Sequence, residues 1–133
     1  MPRYSEKSKE KLATCDPRLQ RIFNYVIQHF DNTILCGVRS KEAQDAAFEM
    51  GHSKVQWPNG KHNVTTIGQL SRAVDAAPYP IDWKDRERMT YFAGFVKGVA
   101  AQMNIRLRWG GDWDRDFEFI DQTFDDLVHW ELI

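Results

Sequence analysis

The sequence lacks several features that define whole classes of protein. It has no run of about 18 apolar residues, so we expect no membrane insertion. Its N-terminal stretch, MPRYSEK, lacks the apolar region of a secretory signal. The formal net charge is -1, so no overall basic field favours nucleic acid. We therefore expect neither a membrane protein nor a nucleic-acid-binding protein.

Cysteine is scarce, and its spacing defines no known framework. Cys15 and Cys36 form no CxxC motif. We predict two reduced thiols in a cytosolic chain, with a single bridge between them as the alternative. The chain also shows no repeat, linker or low-complexity segment. At 133 residues it is long enough to bury one core, and we expect a single domain over residues 1–133.

Apolar periodicity divides the chain into helices and short strands. Helical spacing and capping residues predict helices over residues 5–13, 17–29, 41–50 and 83–103. Apolar, partly β-branched runs predict strands over residues 33–38, 71–77, 105–109 and 127–133. Asp82 is the expected cap of the last helix. We predict an α+β fold, in which helices pack on a small, mostly antiparallel sheet.

Two ionisable residues lie within apolar strands. His129 stands in the run DLVHWE, and Asp75 stands in AVDAA, where an unpaired carboxylate would be costly. His62 lies in a long polar loop over residues 52–70, a kind of segment that is often functional. Two histidines and one aspartate from separate elements suit zinc with an open position for water. Asp126, near His129, would be a proton acceptor.

The residues alone leave an alternative open. Taken alone, His129 is better explained as a half-buried histidine that is satisfied by a backbone group, and only Asp126, Asp75 and His62 favour a metal ligand. No HExxH helix fixes two ligands by helical spacing.

Four segments of the chain resemble one family of peptidases. They are residues 61–62, 71–75, 108–113 and 126–132, in the family's order. They are similar to the zinc D-alanyl-D-alanine carboxypeptidases, a group that includes the phage L-alanyl-D-glutamate endopeptidases, which act as endolysins. The match covers nearly the whole chain. It implies a Hedgehog/DD-peptidase-like fold.

The resemblance also assigns roles to individual residues. It implies that His62, Asp75 and His129 bind zinc and that Asp126 is the catalytic base. The family places an arginine at the end of an early strand, and Arg39 matches it. Arg39 would hold the substrate and stabilise the oxyanion, because a cation aimed at developing charge contributes strongly in a dry site. A surface salt bridge is the alternative for Arg39.

The chain departs from the family pattern in the loop that carries the first histidine. Gly60 stands where the family usually has serine, and twelve residues separate His62 from Asp75, a longer spacing than usual. His52 lies in the same loop and is the alternative ligand. We prefer His62, because residues 61–63 match the local motif.

Other residues near these motifs have expected roles outside the ligand set. Glu131 lies two residues from His129 on a strand, so it shares that residue's face and would orient the ligand. Trp109 and Trp113 would wall the substrate groove, or simply pack the loop.

An acidic loop offers a calcium site as a further possibility. Asp112, Asp114 and Asp116 alternate along it. An EF-hand would require glycine at position six and glutamate at position twelve, where Phe117 and Thr123 stand instead. We therefore expect a solvated acidic loop rather than calcium.

These expectations lead to one functional hypothesis. By resemblance, the chain would be a zinc-dependent, monomeric endolysin that hydrolyses the L-alanyl-D-glutamate bond of peptidoglycan stem peptides. It would stay in the host cytoplasm until a holin opens the inner membrane. One alternative is a D-alanyl-D-alanine carboxypeptidase or dipeptidase with the same site. Another is a non-catalytic, zinc-stabilised wall-binding or virion module.

Overall fold

The computed structural model describes residues 1–118 and 126–133, and these residues form helices on one antiparallel sheet. The helices are α1 (Glu6–Ala13), α2 (Pro17–Val26), α3 (Lys41–Glu49) and α4 (Arg86–Gln102). The strands are β1 (Asn32–Cys36), β2 (Ala73–Pro78), β3 (Leu107–Gly110) and β4 (Asp126–Leu132). The predicted α+β fold is confirmed. In the described part of the chain, no helix has the length and apolar character needed to cross a membrane.

The sheet places the last strand of the chain in its interior. The strand order is β1-β2-β4-β3, and every neighbouring pair is antiparallel. The pairing of β2 with β4 sets Asp75 directly opposite His129. Glu131 lies opposite Ala73 on one side and Arg108 on the other. The register of these strands therefore gathers ionisable side chains in one place.

Alternation along each strand separates a core face from an ionisable face. Trp130 is fully buried, and its ring packs edge-on against Phe23 of α2 and Phe92 of α4, with ring centroids 5.7 and 5.6 Å away. Such aromatic pairs contribute roughly 0.5–1.5 kcal/mol each beyond the area that they bury. Because successive side chains point to opposite faces, His129 and Glu131 lie on the face away from this core.

Helix α4 begins three residues later than the sequence predicted. Asp85, and not Asp82, is the N-cap, because its side chain accepts the backbone N–H of Arg88 at 3.0 Å. Asp82 instead accepts the N–H of Lys84 in the turn before the helix. Both aspartates have the chemistry of a cap, and only the tertiary position of the helix separates them.

The third strand is shorter at its start than predicted. Residue Asn104 after α4 has a φ of 60°, and the N–H of Ile105 bonds to the carbonyl of Ala100 at 2.9 Å. This is the C-terminal capping pattern of a helix, and it removes residue 105 from the strand. The free thiols of Cys15, which is buried, and Cys36, which is half-buried, agree with the prediction that they form no bridge.

Candidate metal centre

Three buried ligand atoms converge where the pairing of strands β2 and β4 ends. His62 Nε2 and His129 Nδ1 each lie 3.1 Å from Asp75 Oδ1. The two histidine nitrogens are 3.2 Å apart. Asp75 and His129 are paired residues of the sheet, whereas His62 comes from the loop before β2. This group could therefore hold a metal ion.

The separations of these atoms fit a zinc ion. Ligand atoms about 2.0–2.1 Å from a tetrahedral zinc ion lie roughly 3.3 Å from one another. The observed separations of 3.1, 3.1 and 3.2 Å are close to that value. Two imidazoles and one carboxylate are also a donor set that zinc commonly takes, with a further position left for water.

Each histidine is oriented by a partner on its other ring nitrogen. His62 Nδ1 lies 2.7 Å from the carbonyl oxygen of Gly37, and His129 Nε2 lies 2.9 Å from Glu131 Oε1. Because these oxygens accept hydrogen bonds, the facing nitrogens carry the protons. The inner nitrogens, His62 Nε2 and His129 Nδ1, then point into the cluster, where their lone pairs would bind a metal ion. Glu131 thus stands where the sequence predicted an orienting partner.

A positive charge at the centre of the cluster would stabilise its buried carboxylate. Burial is the largest single effect on His62 and lowers its pKa, but the charge of Asp75 and the hydrogen bonds to Asp75 and Cys36 together outweigh burial and raise the pKa to about 10. Burial raises the pKa of Asp75, but attraction to His62 and His129 holds it well below its usual range. The buried carboxylate therefore needs a cation beside it, which either a protonated histidine or a metal ion supplies.

Asp126 lies beside this cluster in a cavity of about 590 Å³. Burial, followed by repulsion from Asp75, raises the pKa of Asp126 against the attraction of His129. A raised pKa makes this carboxylate a better proton acceptor. The cavity is also lined by Trp113, whose ring centroid is 5.5 Å from that of His129. Both residues therefore lie where the sequence predicted them.

Arg39 is held between the cluster and helix α3. Its Nη2 lies 3.3 Å from Asp75 Oδ2, and its Nη1 donates to Gln44 Oε1 at 3.0 Å. The side chain is 17% exposed and lines the cavity, so a surface salt bridge does not describe it. Its backbone N–H bonds to the carbonyl of His62 at 2.9 Å, which ties the ligand loop to the end of β1.

The loop before β2 brings His62 and not His52 into the cluster. His52 is exposed and lines the outer part of the same cavity, outside the group of converging donors. The structure also shows why glycine stands at position 60, where the family usually has serine. A Cβ atom at residue 60 would lie 2.7 Å from Asn63 Oδ1 and 3.1 Å from Gln44 Oε1. The tight loop ahead of His62 therefore favours a residue without a side chain.

The expectation that Trp109 walls the groove is wrong. Trp109 is paired with Trp130 in the sheet, and its Nε1 donates to the carbonyl of Leu127 at 2.9 Å. It is buried and lies on the core face, so it does not line the cavity with Trp113. The alternative, that Trp109 simply packs, describes it correctly.

Arg108 is a cavity residue that the sequence reasoning missed. It lies opposite Glu131 in the sheet, and its Nε is 3.9 Å from Glu131 Oε2. The side chain is one-third exposed and lines the cavity. Alternation along residues 105–109 is the signal that would have found it, because that pattern sets Arg108 on the face opposite Trp109.

The aspartates of the acidic loop form a second group whose carboxylates lie near one another. Asp112, Asp114 and Asp116 offer ligand atoms within 4.8 Å of one another. The carboxylate of Asp112 accepts the backbone N–H groups of Asp116 at 3.2 Å and Phe117 at 3.0 Å. It therefore closes its own loop. Thr123, the other position weighed for calcium, lies outside the described residues.

A buried His/Asp/His cluster beside a carboxylate and an arginine in an open cavity is typical of a metallopeptidase. The chain belongs to the phage L-alanyl-D-glutamate peptidase family, whose sequence model matches residues 1–133. The family predicted from the four motifs is thereby confirmed, and with it the class of peptidoglycan-cleaving endopeptidases.

A solved structure shows the same fold. The L-Ala D-Glu endopeptidase ChiX of Serratia marcescens is similar, with a TM-score of 0.75 and 22% sequence identity. The similarity covers 98% of this chain and 90% of that chain. No curated protein gives a significant sequence match.

Proposed function

We propose that this chain hydrolyses the L-alanyl-D-glutamate bond of peptidoglycan stem peptides, with a zinc ion held by His62, Asp75 and His129. The observation that carries the proposal is the convergence of these three donors, each with its remaining polar atom held by another group, in a member of this family. When bound, zinc would act as a Lewis acid that lowers the pKa of water and polarises the scissile carbonyl.

Asp126 is the proposed proton carrier of the reaction. Its carboxylate would take a proton from the attacking water, whose oxygen bonds to the alanyl carbonyl carbon. The same carboxyl would then give that proton to the nitrogen of D-glutamate as the C–N bond breaks. The raised pKa of Asp126 supports both steps, because the group binds a proton more readily than an exposed aspartate does.

Arg39 is the proposed stabiliser of the developing oxyanion. Two of its nitrogens are occupied by Asp75 and Gln44, which fixes the guanidinium plane. Arginine has five N–H donors, so others remain for a substrate oxygen in the cavity. A fixed cation needs no reorganisation when charge develops, which is the basis of its contribution. Trp113 would form the wall against which the peptide lies.

The biological role that we propose is lysis of the host wall. Family membership supports it. We propose that the enzyme acts as a monomer and reaches the wall from the cytoplasm after a holin opens the inner membrane. Producing the protein in bacteria with and without a holin tests the route, and lysis without a holin would contradict it. Light scattering of the purified protein tests the monomer.

The central experiment measures metal content and the product of digestion on one purified sample. We expect about one zinc ion per chain and release of the stem peptide after L-alanine, read by mass spectrometry of digested muropeptides. Loss of a single alanine would instead indicate a carboxypeptidase with the same centre. Intact muropeptides after digestion with the zinc-loaded protein would contradict the proposal.

A pair of histidine variants tests the ligand assignment. His62→Ala should lose zinc, because it removes one of three ligands, whereas His52→Ala should keep it. Both histidines come from the same loop, so His52→Ala controls for loop disturbance. The assignment fails if only the His52 change releases the metal.

A further inference from the structure

The buried side-chain amide of Gln44 connects Arg39 on one side of the cavity with Ser53 and Val55 on another. We propose that Gln44 is a positioning residue, which fixes the orientation of Arg39 and holds the outer cavity wall at Ser53–Val55. The proposal rests on the proposed function, because Arg39 acts on substrate only if this cavity is the peptidase site. Gln44 itself reaches the reaction through these neighbours.

The contacts of Gln44 use both ends of its side chain. It lies on α3 and is 1% exposed. Its Oε1 accepts from Arg39 Nη1 at 3.0 Å and from Asn63 Nδ2 at 3.2 Å. Its Nε2 donates to Ser53 Oγ at 3.0 Å and to the carbonyl of Val55. One side chain therefore bonds to the segment that follows β1, to the ligand loop and to the outer wall.

Only an amide of this length can make these contacts. A primary amide has two N–H donors and an oxygen that accepts two hydrogen bonds, and Gln44 uses all four. A carboxylate at this position would keep the acceptors and lose both donors. An apolar side chain of the same length would leave four polar groups without this partner, and unmade buried hydrogen bonds are costly.

These contacts connect Gln44 to the metal centre by two short routes. Through Arg39, the chain of contacts continues to Asp75 Oδ2 at 3.3 Å. The second route runs through Asn63, which is the residue next to His62 and whose Oδ1 accepts the N–H of Gly60 at 2.9 Å. The guanidinium of Arg39 is thus clamped between Asp75 and Gln44. Removing the amide would therefore release both the guanidinium of Arg39 and the side chain of Asn63 in the ligand loop.

Two substitutions separate the roles of the two ends. Gln44→Met removes both the amide oxygen and the amide nitrogen. We expect kcat to fall by about 10–100-fold, the scale at which a misplaced catalytic group slows an enzyme. Gln44→Glu keeps the acceptor for Arg39 and loses the donors to Ser53 and Val55. We expect it to raise KM by about tenfold and to keep most of kcat, because the outer wall is loosened while Arg39 stays in place.

The measurement is steady-state cleavage of a purified muropeptide by the zinc-loaded protein. Zinc content and circular dichroism of each variant show whether the fold and the metal centre remain. Gln28→Met, at an exposed glutamine of the chain segment after α2, is the matched control and should keep wild-type kcat and KM. If Gln44→Met does not fold, the KM and kcat of Gln44→Glu still decide the question.

A double-variant cycle distinguishes positioning from general support of the structure. If Gln44 acts on kcat through Arg39, then adding Gln44→Met to Arg39→Ala should change kcat by no more than about twofold. The same fall in kcat in both backgrounds would overturn the proposal. So would wild-type kcat and KM in both Gln44 variants. A wild-type enzyme that fails to cleave muropeptides contradicts the proposed function instead, so the two failures are distinguishable.

Discussion

Among residues 1–118 and 126–133, two groups of side chains bring possible ligand atoms within 4.8 Å of one another, and they do so in opposite ways. We call them the histidine cluster, formed by His62, Asp75 and His129, and the aspartate loop, formed by Asp112, Asp114 and Asp116. In the histidine cluster, Asp75 and His129 meet because the sheet pairs them across 54 residues of sequence. In the aspartate loop, proximity follows from alternation along one short segment.

The partners of the two groups also differ. In the histidine cluster, the outer nitrogens of both imidazoles hydrogen-bond to Gly37 and Glu131, which orients the inner nitrogens to converge on Asp75. In the aspartate loop, Asp112 accepts two backbone N–H groups, and Asp114 and Asp116 are exposed. Nearness of carboxylates is therefore a weak sign of a metal site. Donors oriented from outside and buried together are a strong one.

The largest difference should appear on removing one member from each group. His129→Ala should abolish zinc binding and wall hydrolysis, because it removes a ligand from a three-ligand site. Asp114→Ala should leave both unchanged. Metal analysis and turbidity loss of a wall suspension measure the two effects. Retained zinc in His129→Ala, or zinc loss in Asp114→Ala, would reverse the comparison.

Metal removal should act through the histidine cluster alone. Chelation should stop hydrolysis, and zinc should restore it, because imidazole ligands suit zinc. Calcium takes six to eight oxygen ligands, which the two histidines do not supply, so calcium should not restore activity. The measurement is wall hydrolysis after dialysis against each metal. Recovery with calcium alone would show that the aspartate loop controls activity.

Asp126 should be needed for catalysis and not for the metal. Asp126→Asn keeps the shape of the side chain but cannot accept a proton, so activity should fall by about 10²–10⁴-fold with zinc retained. In the wild type, the raised pKa of Asp126 places loss of the basic form at a higher pH than for an ordinary aspartate. Hydrolysis should therefore decline as pH falls through that pKa. Undiminished cleavage by Asp126→Asn would exclude this role.

The support given by Glu131 should have a smaller effect than loss of a ligand. Glu131→Ala removes the acceptor for His129 Nε2, and loss of such a partner typically weakens metal affinity by about 10–100-fold. Glu131→Gln keeps an acceptor oxygen and should weaken it less. Competition with a zinc chelator of known affinity gives the numbers. Equal affinity in all three proteins would show that the hydrogen bond does not orient His129.

The smallest effect should come from the aspartate loop. Asp112→Ala removes the acceptor of two backbone N–H groups, so the free energy of unfolding should fall by about 1–2 kcal/mol with zinc content unchanged. Urea denaturation of the zinc-loaded protein measures this change. A loss of zinc instead would mean that the loop and the histidine cluster are coupled.

Features of the site that depend on local context were predictable from the sequence. Asp75 and His129 stood out because each is ionisable inside an apolar strand, and His62 followed from its family motif. The structure brings these three together. Arg39, Asp126 and Glu131 also lie beside them, as expected. Asp75, His129 and Glu131 were predicted from their neighbours in sequence, whereas His62 and Arg39 were chosen through the resemblance to the family.

Features that depend on non-local geometry were not predictable in this way. Trp109 was predicted to line the groove because it belongs to a family motif. The alternation of side chains along β3 instead points it into the core, on the same face as Trp130. Gln44 gave no signal at all, because its four partners come from three segments of the chain, at residues 39, 53–55 and 63. The cap of α4 at Asp85 was misplaced because Asp82 has the same chemistry. The order β1-β2-β4-β3 is likewise fixed by packing.

The strand order β1-β2-β4-β3 has a consequence for when the active site forms during folding. Strands β1, β2 and β3 leave the ribosome before β4, and β4 must then insert between β2 and β3. Until it does, Asp75 lacks its partner His129 and the cavity lacks Asp126. Contacts over such long separations form late, because closing a long loop costs entropy. A nascent or partly unfolded chain therefore holds no complete donor set, and hydrolytic capacity arises only when the sheet closes.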